Sequence, residues 1–459
     1  MNFDPIINIL VQFFNYTWWF LLFLILWPLF KNTWRFWREE TYIHSNEMKL
    51  IHLELKMPRE ITKNPQAMEQ VLNGIHQLRN APGNLEEWWV DGEVTKWFVF
   101  EMVSFGGEVH FYVHGYHKQR HLIEASFYAF YSDLELVEVE DYMSRLPISV
   151  REMHAQGYDL WGSEMIYTRQ EKGDKFASAY PIKTYKDFES PDEEKQYDPI
   201  SQFVEILGKV KPEEIVGVQI LIAPAEDGWS NRYHELVAKL RATEKESVRA
   251  GRGSLFGQMT FPGGPMPAAV QKEEKPQPIK FMMRTPGETD TLKAVEENLS
   301  KPAFETLIRF MYLSPEPMFY DSFPRRGLKG AFNQYSAYDL NAFTMNNDIS
   351  TRVKIWDKPY IFPNKRVEYR KARLLYNYRH RLMPPENWVG KLLTSYFYNW
   401  NFGTKLMHMT TQCVATIFHP PTAAVLIAPH IQRVESRRVG PPAGLAIFGG
   451  ETDIEKFQE

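Results

Sequence analysis

An uncharged apolar run near the N-terminus constrains this chain more than any other feature. Between Asp4 and Lys31 the sequence reads PIINILVQFFNYTWWFLLFLILWPLF, without a single Asp, Glu, Lys or Arg. About 20 apolar residues suffice for a helix to cross the hydrocarbon core of a bilayer. Trp18, Trp19 and Trp27 suit the interfacial levels of such a helix. The run therefore predicts a transmembrane anchor at the start of the chain.

The basic residues around this run predict its orientation. No Lys or Arg precedes it, whereas Lys31, Arg35 and Arg38 follow it, and positive residues favour the cytoplasmic side. We therefore expect a single-pass protein of the cell membrane, with its N-terminus outside and its main body cytoplasmic. A cleaved signal peptide is disfavoured because a basic n-region and a small-residue cleavage site are missing. The amide side chains within the run leave open a helix that lies in the membrane interface.

Charge and cysteine usage restrict the possible chemistry. The formal net charge of −4 over 459 residues points to no nucleic-acid or acidic partner for the chain as a whole. The single cysteine, Cys413, rules out an intramolecular disulfide and a cysteine-based zinc site, and agrees with a reducing compartment. Within the apolar string TTQCVATIF, we expect Cys413 to be a small buried residue rather than a nucleophile.

The chain after the apolar run predicts a βαββαβ unit. Residues 48–57 alternate with the period of a strand, and Asn64-Pro65 is a typical helix start. Two further apolar strands are separated by Gly106-Gly107, a pair that favours a two-residue hairpin. A helix over 121–131 and a strand over 134–142 complete a ferredoxin-like order, with two helices on one face of a four-stranded antiparallel sheet.

The same order is predicted a second time. Its elements are the strand PIKTY (181–185), a helix after Asp198-Pro199, the strands 213–224 and 303–313, a helix around 327–335 and a strand in DLNAFTM (339–345). A long insertion separates its halves, and residues 243–287 are rich in Gly, Pro, Lys and Glu, which is typical of a mobile linker.

These patterns give an α+β fold class and a domain plan. The plan comprises an anchor with its juxtamembrane segment (1–40), a first ferredoxin-like domain (41–150), a second ferredoxin-like domain with a mobile insertion at about 225–300 (151–350), a basic and aromatic helical region (351–432) and a linker-like tail (433–459).

No motif in the sequence predicts an enzyme. The strings closest to a phosphate loop are GRGSLFGQM (251–259), which lacks the Lys, and NFGTKL (401–406), which lacks the upstream Gly. A G-x-S-x-G nucleophile motif is not found. We therefore expect no catalytic, cofactor-binding or metal-binding residues.

Two histidine motifs are the candidates for a metal site. In RYHEL, His234 and Glu235 are followed by Ala238 where a zincin helix needs its second His. His117 and His121 are four residues apart, but two ligands are too few to predict a site, and a solvated helix start is the preferred interpretation.

One local charge feature stands out. Residues 352–381 hold ten Lys or Arg against two acids, interleaved with aromatic residues. Nucleic-acid phosphates and bases could bind there, as could anionic lipid headgroups. The alternative is a solvated basic helix from about Lys365 to Leu382, with aromatic residues on its packed side. The candidate anionic-ligand patch consists of Lys365, Arg366, Arg370, Lys371 and Arg373.

Several strings together resemble a known family. They include FEMVSFGGEVHFYV and VEVEDY in the first predicted domain, YPIKTYKDFE, DPISQFVEIL and VQILIAP in the second, and ATIFHPP and RVESRRVGPPAGLAIFGG near the end. They resemble membrane-anchored accessory domains, of unknown function, that precede FtsK/HerA-like or TraG-like ATPases in conjugation-like and type IV secretion-like proteins of small-genome bacteria.

The resemblance implies a function that does not depend on catalysis. In long members, a junction like VGPPAGLAIFGG leads to the ATPase domain, and no such domain follows in this sequence. The ATPase is then a separate polypeptide, has been lost, or is missing from a truncated gene. We expect a membrane-anchored cytoplasmic scaffold that contacts membrane lipid and docks a separate ATPase or self-associates. The alternative is a membrane-tethered module that binds nucleic acid or anionic lipid through residues 352–381.

Overall fold

The computed structural model describes residues 4–58, 63–189, 197–241, 286–353, 360–395, 400–422 and 433–434. Most of the predicted linker, 243–287, lies outside these residues, and so does most of the predicted tail, 433–459.

One apolar helix and one large sheet dominate the architecture, which mixes α and β elements. The strands are β1 (Leu50–Pro58), β2 (Phe98–Phe105), β3 (Glu108–Tyr116), β4 (Glu135–Glu138), β5 (Tyr158–Tyr167), β6 (Ile215–Pro224), β7 (Ala303–Pro315), β8 (Phe343–Met345), β9 (Met407–Thr410) and β10 (Arg433–Val434).

The helices surround this sheet and extend from it at the N-terminus. They are α1 (Asp4–Ile43), α2 (Pro65–His76), α3 (Arg120–Tyr128), α4 (Val150–Ala155), α5 (Thr168–Glu171), α6 (Ser201–Gly208), α7 (234–241), α8 (Pro286–Leu299), α9 (Ser322–Asn333), α10 (Pro363–Arg379), α11 (Trp388–Ser395), α12 (Trp400–Gly403) and α13 (Thr411–Ile417).

Local sequence explains the first elements of the body. Pro65 occupies the first turn of α2, where its missing N–H costs nothing, and Asn64 before it is extended. The β2–β3 connection consists of Gly106 and Gly107, whose φ angles of 61° and 99° are accessible to glycine without strain. Both predictions from the sequence are confirmed.

Each half of the body has the same strand order. In the first half, β4 pairs with β1, β1 with β3 and β3 with β2, all antiparallel. In the second half, β8 pairs with β5, β5 with β7 and β7 with β6, again antiparallel. Both halves therefore follow the order 4-1-3-2 in terms of their own strands, with a helix after the first strand and another after the third.

The first strand of the second half differs from the prediction. Residues 181–185, predicted as a strand, form an irregular segment and the start of a helical turn, and the strand of that half is β5 (Tyr158–Tyr167). The string WGSEMIY within β5 is buried on both faces, so it lacks the alternation that marks a half-exposed strand.

The two halves share one sheet. β2 of the first half pairs antiparallel with β6 of the second, from Phe98 opposite Ile222 to Phe105 opposite Ile215. This pairing joins the edge strand of each half and places both in the middle of a continuous sheet. Every residue of β2 from Phe98 to Ser104 is consequently buried.

Both faces of the shared sheet are covered. On one face, the core includes Met68 of α2, Phe203 of α6 and Phe332 of α9. On the other, Leu374, Leu375 and Tyr378 of α10 pack against residues such as Val103 and Met311. Full burial on two sides explains why the central strands are nearly continuous apolar runs.

The close contact between α10 and the sheet gives a testable prediction. A Cβ at Gly217 in β6 would lie 1.9 Å from the hydroxyl oxygen of Tyr378. We expect Gly217→Ala to lower the free energy of unfolding by about 1–3 kcal/mol, because overpacking in a filled core forces side chains to shift. Urea unfolding in detergent micelles measures this change.

The matched control is Gly330→Ala in α9. A Cβ there meets nothing nearer than 3.9 Å, so it should keep or raise stability by up to about 1 kcal/mol through helix propensity. Equal stability of the two variants contradicts the assigned packing of α10.

Candidate functional site at the base of the N-terminal helix

The N-terminal helix has the length and composition needed to span a membrane. α1 is continuous over 40 residues, which corresponds to about 60 Å at 1.5 Å per residue. Residues Val11–Ile43 form the stretch that meets the criteria of length and hydropathy, and none of its most apolar window is buried by the rest of the protein. The predicted interfacial residues Trp18, Trp19 and Trp27 are all exposed.

The base of α1 is fastened to a short helical turn that we call the tryptophan turn, Glu87–Asp91. The Arg35 guanidinium stacks 3.7 Å from the ring centre of Trp88, and the Lys31 ammonium lies 4.7 Å from that of Trp89. Such cation–π contacts are worth about 0.5–2 kcal/mol each. The Arg38 guanidinium donates a hydrogen bond to the backbone carbonyl of Val90. All three basic residues that were predicted to follow the membrane span therefore bind this part of the body.

A glycine permits the closest approach at this junction. Gly92 ends the tryptophan turn with φ of 70°, and a Cβ there would lie 2.4 Å from the carbonyl carbon of Arg38. The backbone of α1 therefore touches the backbone of the body directly.

A second segment holds α1 from the C-terminal part of the chain. Asn387 donates from Nδ2 to the carbonyl of Asn32 at 2.7 Å. Arg35 also reaches Glu386 at 3.4 Å. A Cβ at Gly390 in α11 would lie 2.6 Å from the Phe36 ring, so α11 packs closely on α1.

These contacts enclose a cavity of about 150 Å³ between α1 and the sheet. Its lining combines aromatic and apolar residues with acids and two arginines, and includes Trp88, Trp97, Tyr376, Glu93, Glu305, Arg35 and Arg373. Burial, and to a lesser degree the charge of Glu386, raises the pKa of Glu305 above its usual range. The cavity can hold a few waters or a small polar group.

Below the cavity, a row of polar residues crosses the sheet. Directly opposed positions on neighbouring strands are Glu54, Tyr112, Glu101, Gln219, Arg309 and Glu164, from β1 to β5. Opposed residues of antiparallel strands lie on the same face, and this is the face that α10 covers. All six side chains are buried, so each needs a partner within the protein.

Arg381 supplies the main partner for this polar row. Its Nε donates to Glu101 at 2.8 Å, while Nη1 and Nη2 each contact Asp141 at 2.8 Å. Tyr142 also donates to Glu101, at 2.7 Å. Burial acts to raise the pKa of Glu101, but the Arg381 guanidinium and the adjacent His114 ring outweigh it and hold the pKa well below its usual range.

The end of α10 supplies hydrogen-bond acceptors for two other members of the polar row, Gln219 and Arg309. Gln219 donates to the carbonyl of Tyr378 at 2.9 Å, and Arg309 donates to the carbonyl of Asn377 at 3.1 Å. These carbonyls belong to the last turn of α10, and each also accepts a backbone N–H, Asn377 from Leu382 at 3.1 Å and Tyr378 from Arg381 at 3.2 Å. Arg309 also contacts Glu164 at 3.3 Å. The C-terminus of α10 is therefore bound by polar groups of the central strands.

Two histidines in an edge-to-face arrangement lie beside Arg381. Nδ1 of His52 and Nδ1 of His114 are 2.9 Å apart, so one ring donates a proton and the other accepts it. Burial, together with the neighbouring His114 and Arg381, lowers the pKa of His52 to about 4. Burial and the Arg381 charge also lower the pKa of His114. Both rings are therefore neutral at pH 7.

Arg381 connects this buried cluster to the cavity at the base of α1. Its backbone has φ of 51°, an uncommon left-handed conformation for a residue other than glycine. The carbonyl of Arg381 accepts a hydrogen bond from Trp97, which lines the cavity. The chain continues from there through Glu386 and Asn387, which contact α1. One short segment thus contacts both the ion cluster and the helix base.

A family model matches residues 39–349 of this chain, described as a domain of unknown function, DUF8128. The chain belongs to the DUF8128 family. The match starts in the last turns of α1 and ends just after β8, so it includes both 4-1-3-2 halves, with α10 to α13 beyond it. A comparison with curated proteins found no match.

The predicted anionic-ligand patch does not form a surface on this DUF8128 protein. Arg366, Arg370 and Lys371 are 2, 6 and 8 % exposed. Lys365 is exposed, while Arg373 is half-buried and lines the cavity. Three of the five cations of the predicted anionic-ligand patch are therefore buried, and the five do not form one exposed surface.

The reason is that α10 lies across the sheet face instead of standing in solvent. Lys371 contacts Asp159 of β5 at 2.5 Å, and Arg370 donates to the backbone carbonyls of Ser350 and Asn347. The positive charges of Lys371 and Arg370 are therefore paired within the protein, because buried cations need acceptors close by.

The remaining sequence candidates occupy unremarkable places. Cys413 is buried beside Thr410, which confirms its predicted buried position, and burial raises the pKa of its thiol. His117 and His121 are exposed near the start of α3, and His121 contacts Glu124 at 3.5 Å. Among the described residues, no group of three or more His, Cys, Asp or Glu is arranged to hold a metal ion.

Sequence reasoning missed the tryptophan turn and the polar row. The signals were present as Trp88-Trp89 and as single polar residues within apolar strands, such as FVFEMVSF around Glu101 and TLIRFMY around Arg309. A lone ionisable residue in a fully buried strand indicates a paired charge in the core.

The buried ion cluster gives a prediction about stability. Arg381→Met removes the cation shared by Glu101 and Asp141, and leaving a buried charge unpaired typically costs about 3–5 kcal/mol. The control is Arg326→Met on the exposed side of α9, where surface changes stay within about 0.5 kcal/mol. The double variant Arg381→Met with Glu101→Gln should regain part of the loss. A double variant no more stable than the single one contradicts the pairing.

The lowered pKa of His52 predicts a pH dependence. The unfolded chain binds this proton near pH 6.5 and the folded chain only near pH 4, so stability falls as pH falls between these values. His52→Asn retains a partner for His114 and should lose about 2 kcal/mol less than the unmodified chain between pH 7.5 and 5. Urea titrations at both pH values measure the difference.

Glu164 provides the opposite control. Burial raises its pKa to about 7, with Arg309 opposing the shift, so its protonation favours the folded state as pH falls. Glu164→Gln should therefore make the free energy of unfolding fall more steeply as the pH is lowered. If both variants shift the pH curve in the same direction, the assigned protonation states are wrong.

Proposed function

We propose that this protein is a non-enzymatic, single-pass membrane protein whose cytoplasmic body docks a separate ATPase of a conjugation-like or type IV secretion-like system. The observation that carries the proposal is the fastened base of α1. The helix continues from the apolar run into direct contact with the body, without an intervening linker. Such a junction gives the body a fixed orientation to the membrane, which an assembly platform needs.

The residues at the junction also support the proposed topology. Lys31, Arg35 and Arg38 follow the uncharged run and face the body rather than the apolar half of α1. The positive-inside tendency then favours a cytoplasmic body and an N-terminus outside.

The body offers two similar modules for docking. We infer that each 4-1-3-2 half is a ferredoxin-like unit, since a helix follows the first and the third strand in both halves. The units are fused through β2 and β6, so they present their outer surfaces as one rigid block. A rigid block with a fixed membrane orientation suits a structural role.

The alternative, a membrane-tethered module that binds nucleic acid or anionic lipid through residues 352–381, has less support. Of the five cations chosen for it, Arg366, Arg370 and Lys371 are buried in the fold. Phosphate binding needs cations that can reach the ligand. The burial of these cations therefore favours the docking role over this alternative.

Purification of the tagged full-length chain from membranes in mild detergent tests the proposal. We expect a P-loop ATPase to co-purify in a fixed ratio, and ATP hydrolysis to disappear when that partner is removed. Recovery of the chain alone, with neither an ATPase nor self-association, contradicts docking. Hydrolysis that stays with the isolated chain contradicts the non-enzymatic role.

A pair of glycine variants tests whether the fixed junction matters. Gly92→Ala should separate α1 from the tryptophan turn, because its Cβ would collide with Arg38; we expect faster limited proteolysis near residue 44 and less co-purified ATPase. Gly173→Ala has a similar φ of 81° but nothing within 4 Å. Both changes carry a backbone cost of about 1 kcal/mol, so only a difference between them reports on the junction. Equal partner recovery from both variants contradicts a role for the fixed orientation.

A further inference from the structure

We infer that α11 (Trp388–Ser395) lies on the bilayer surface and is a second membrane contact, in addition to α1. The inference rests on the proposed function, because it takes α1 as the membrane anchor. It assigns a lipid-facing role to a segment outside the matched family region, 39–349.

The first observation is the exposure of large apolar side chains on a very short helix. Within α11, Trp388, Leu392 and Leu393 are 48, 46 and 50 % exposed. Trp388 and Leu392 are four residues apart and therefore share one side of the helix. Soluble proteins leave single apolar residues exposed without consequence, but three within eight residues form a patch that favours an apolar environment.

The second observation is the position of α11 along the anchor. Asn387, immediately before α11, binds the carbonyl of Asn32, and Gly390 packs against Phe36. Asn32 and Phe36 lie two and six residues beyond Phe30, the last residue of the uncharged run. At 1.5 Å per residue, these contacts are about 3 Å and 9 Å from the end of the run.

This position coincides with the headgroup layer. The polar layer on each side of the hydrocarbon core is about 5–8 Å thick. If the uncharged run occupies the hydrocarbon core, the start of α11 is held inside the headgroup layer, and its middle lies about 1 Å beyond the outer edge of an 8 Å layer. A helix at this level can insert apolar side chains toward the acyl chains while its backbone stays hydrated.

The residues beside α11 fit the same environment. A groove of about 490 Å³ at the same level is lined by Trp27, Phe30, Lys31, Trp34 and Trp89. Tryptophan is enriched at membrane interfaces, where its ring packs on acyl chains and its N–H meets water. Val90, in the tryptophan turn, is also 55 % exposed. Continuity with the anchor therefore identifies the occupant of this surface as phospholipid.

The proposal makes the collar around α1 part of the membrane interface. We define the collar as α11 together with the tryptophan turn, Glu87–Asp91. Both elements contact α1 just after the last residue of its apolar run. With two contacts beside the spanning helix, the body cannot rotate about an axis in the membrane plane without pulling apolar side chains out of lipid.

Site-specific fluorophores on the full-length chain test the position of α11. The native Cys413 is buried, so a thiol-reactive NBD dye should label introduced cysteines selectively. The variants are Leu392→Cys and Leu393→Cys in α11, Leu24→Cys within the uncharged run, and Tyr320→Cys after the distal end of β7. Tyr320 is 62 % exposed, and β7 separates it from the cavity residue Glu305 by about 33 Å of strand.

Each labelled chain is reconstituted into vesicles of phosphatidylcholine and phosphatidylglycerol. Quenching by a nitroxide on the lipid headgroup-proximal acyl carbons is compared with quenching by aqueous iodide. We expect dyes at Leu392 and Leu393 to be quenched by the lipid nitroxide and to lose most of the iodide quenching seen at Tyr320. Leu24 should respond to the lipid nitroxide and not to iodide.

The outcomes separate this inference from the proposed function. If Leu392 and Leu393 behave like Tyr320 while Leu24 responds to lipid, α11 is not on the bilayer and the inference is overturned. If Leu24 itself is quenched by iodide, the anchor and the proposed function fail together with it. Because the four positions are exposed, labelling should leave folding intact, and a circular dichroism spectrum of each variant checks this.

Discussion

The ion cluster around Arg381 is the interaction on which the rest of the structure depends. Arg381 pairs with Glu101 of β2, which is the strand that joins the first half to the second, and with Asp141 after β4. A guanidinium in this position neutralises acids that the sheet could not otherwise bury. The same residue lies two positions after the end of α10 and begins the segment that reaches α1 through Asn387. Sheet, covering helix and N-terminal helix are thus fixed by one side chain and its neighbours.

Fusion of the halves explains why polar residues stand in the middle of the sheet. β2 and β6 are edge strands within their own halves, and edges are where polar side chains are normally tolerated. Pairing them buries Glu101 and Gln219 side by side. The fold compensates by placing the last turn of α10 over them, where its carbonyls accept hydrogen bonds from Gln219 and Arg309. Fusion of the two halves therefore buries polar side chains whose hydrogen-bond partners come from α10, a segment distant along the chain.

The sequence predicted local elements well and long-range pairing poorly. The apolar run, the Gly106-Gly107 hairpin and most helices and strands of the first half follow from periodicity and turn chemistry, which act over a few residues. The strand β5 was missed because burial on both faces removes alternation. The cations of α10 were misread because their acceptors, such as Asp159, lie over 200 residues away along the chain. The tryptophan turn was not predicted for the same reason, because its contact with Arg35 joins residues that are distant along the chain.

The common axis of the antiparallel central strands has a mechanical consequence. The start of β2, the end of β6 and the start of β7 all lie beside the cavity at the base of α1, and their other ends lie far from it. A pull between α1 and those distant ends therefore runs along the strands. Such a force loads the hydrogen bonds of β2 with β6 in shear, so many must break together rather than one after another. A body built in this way resists extension away from α1 far better than it resists peeling at an edge.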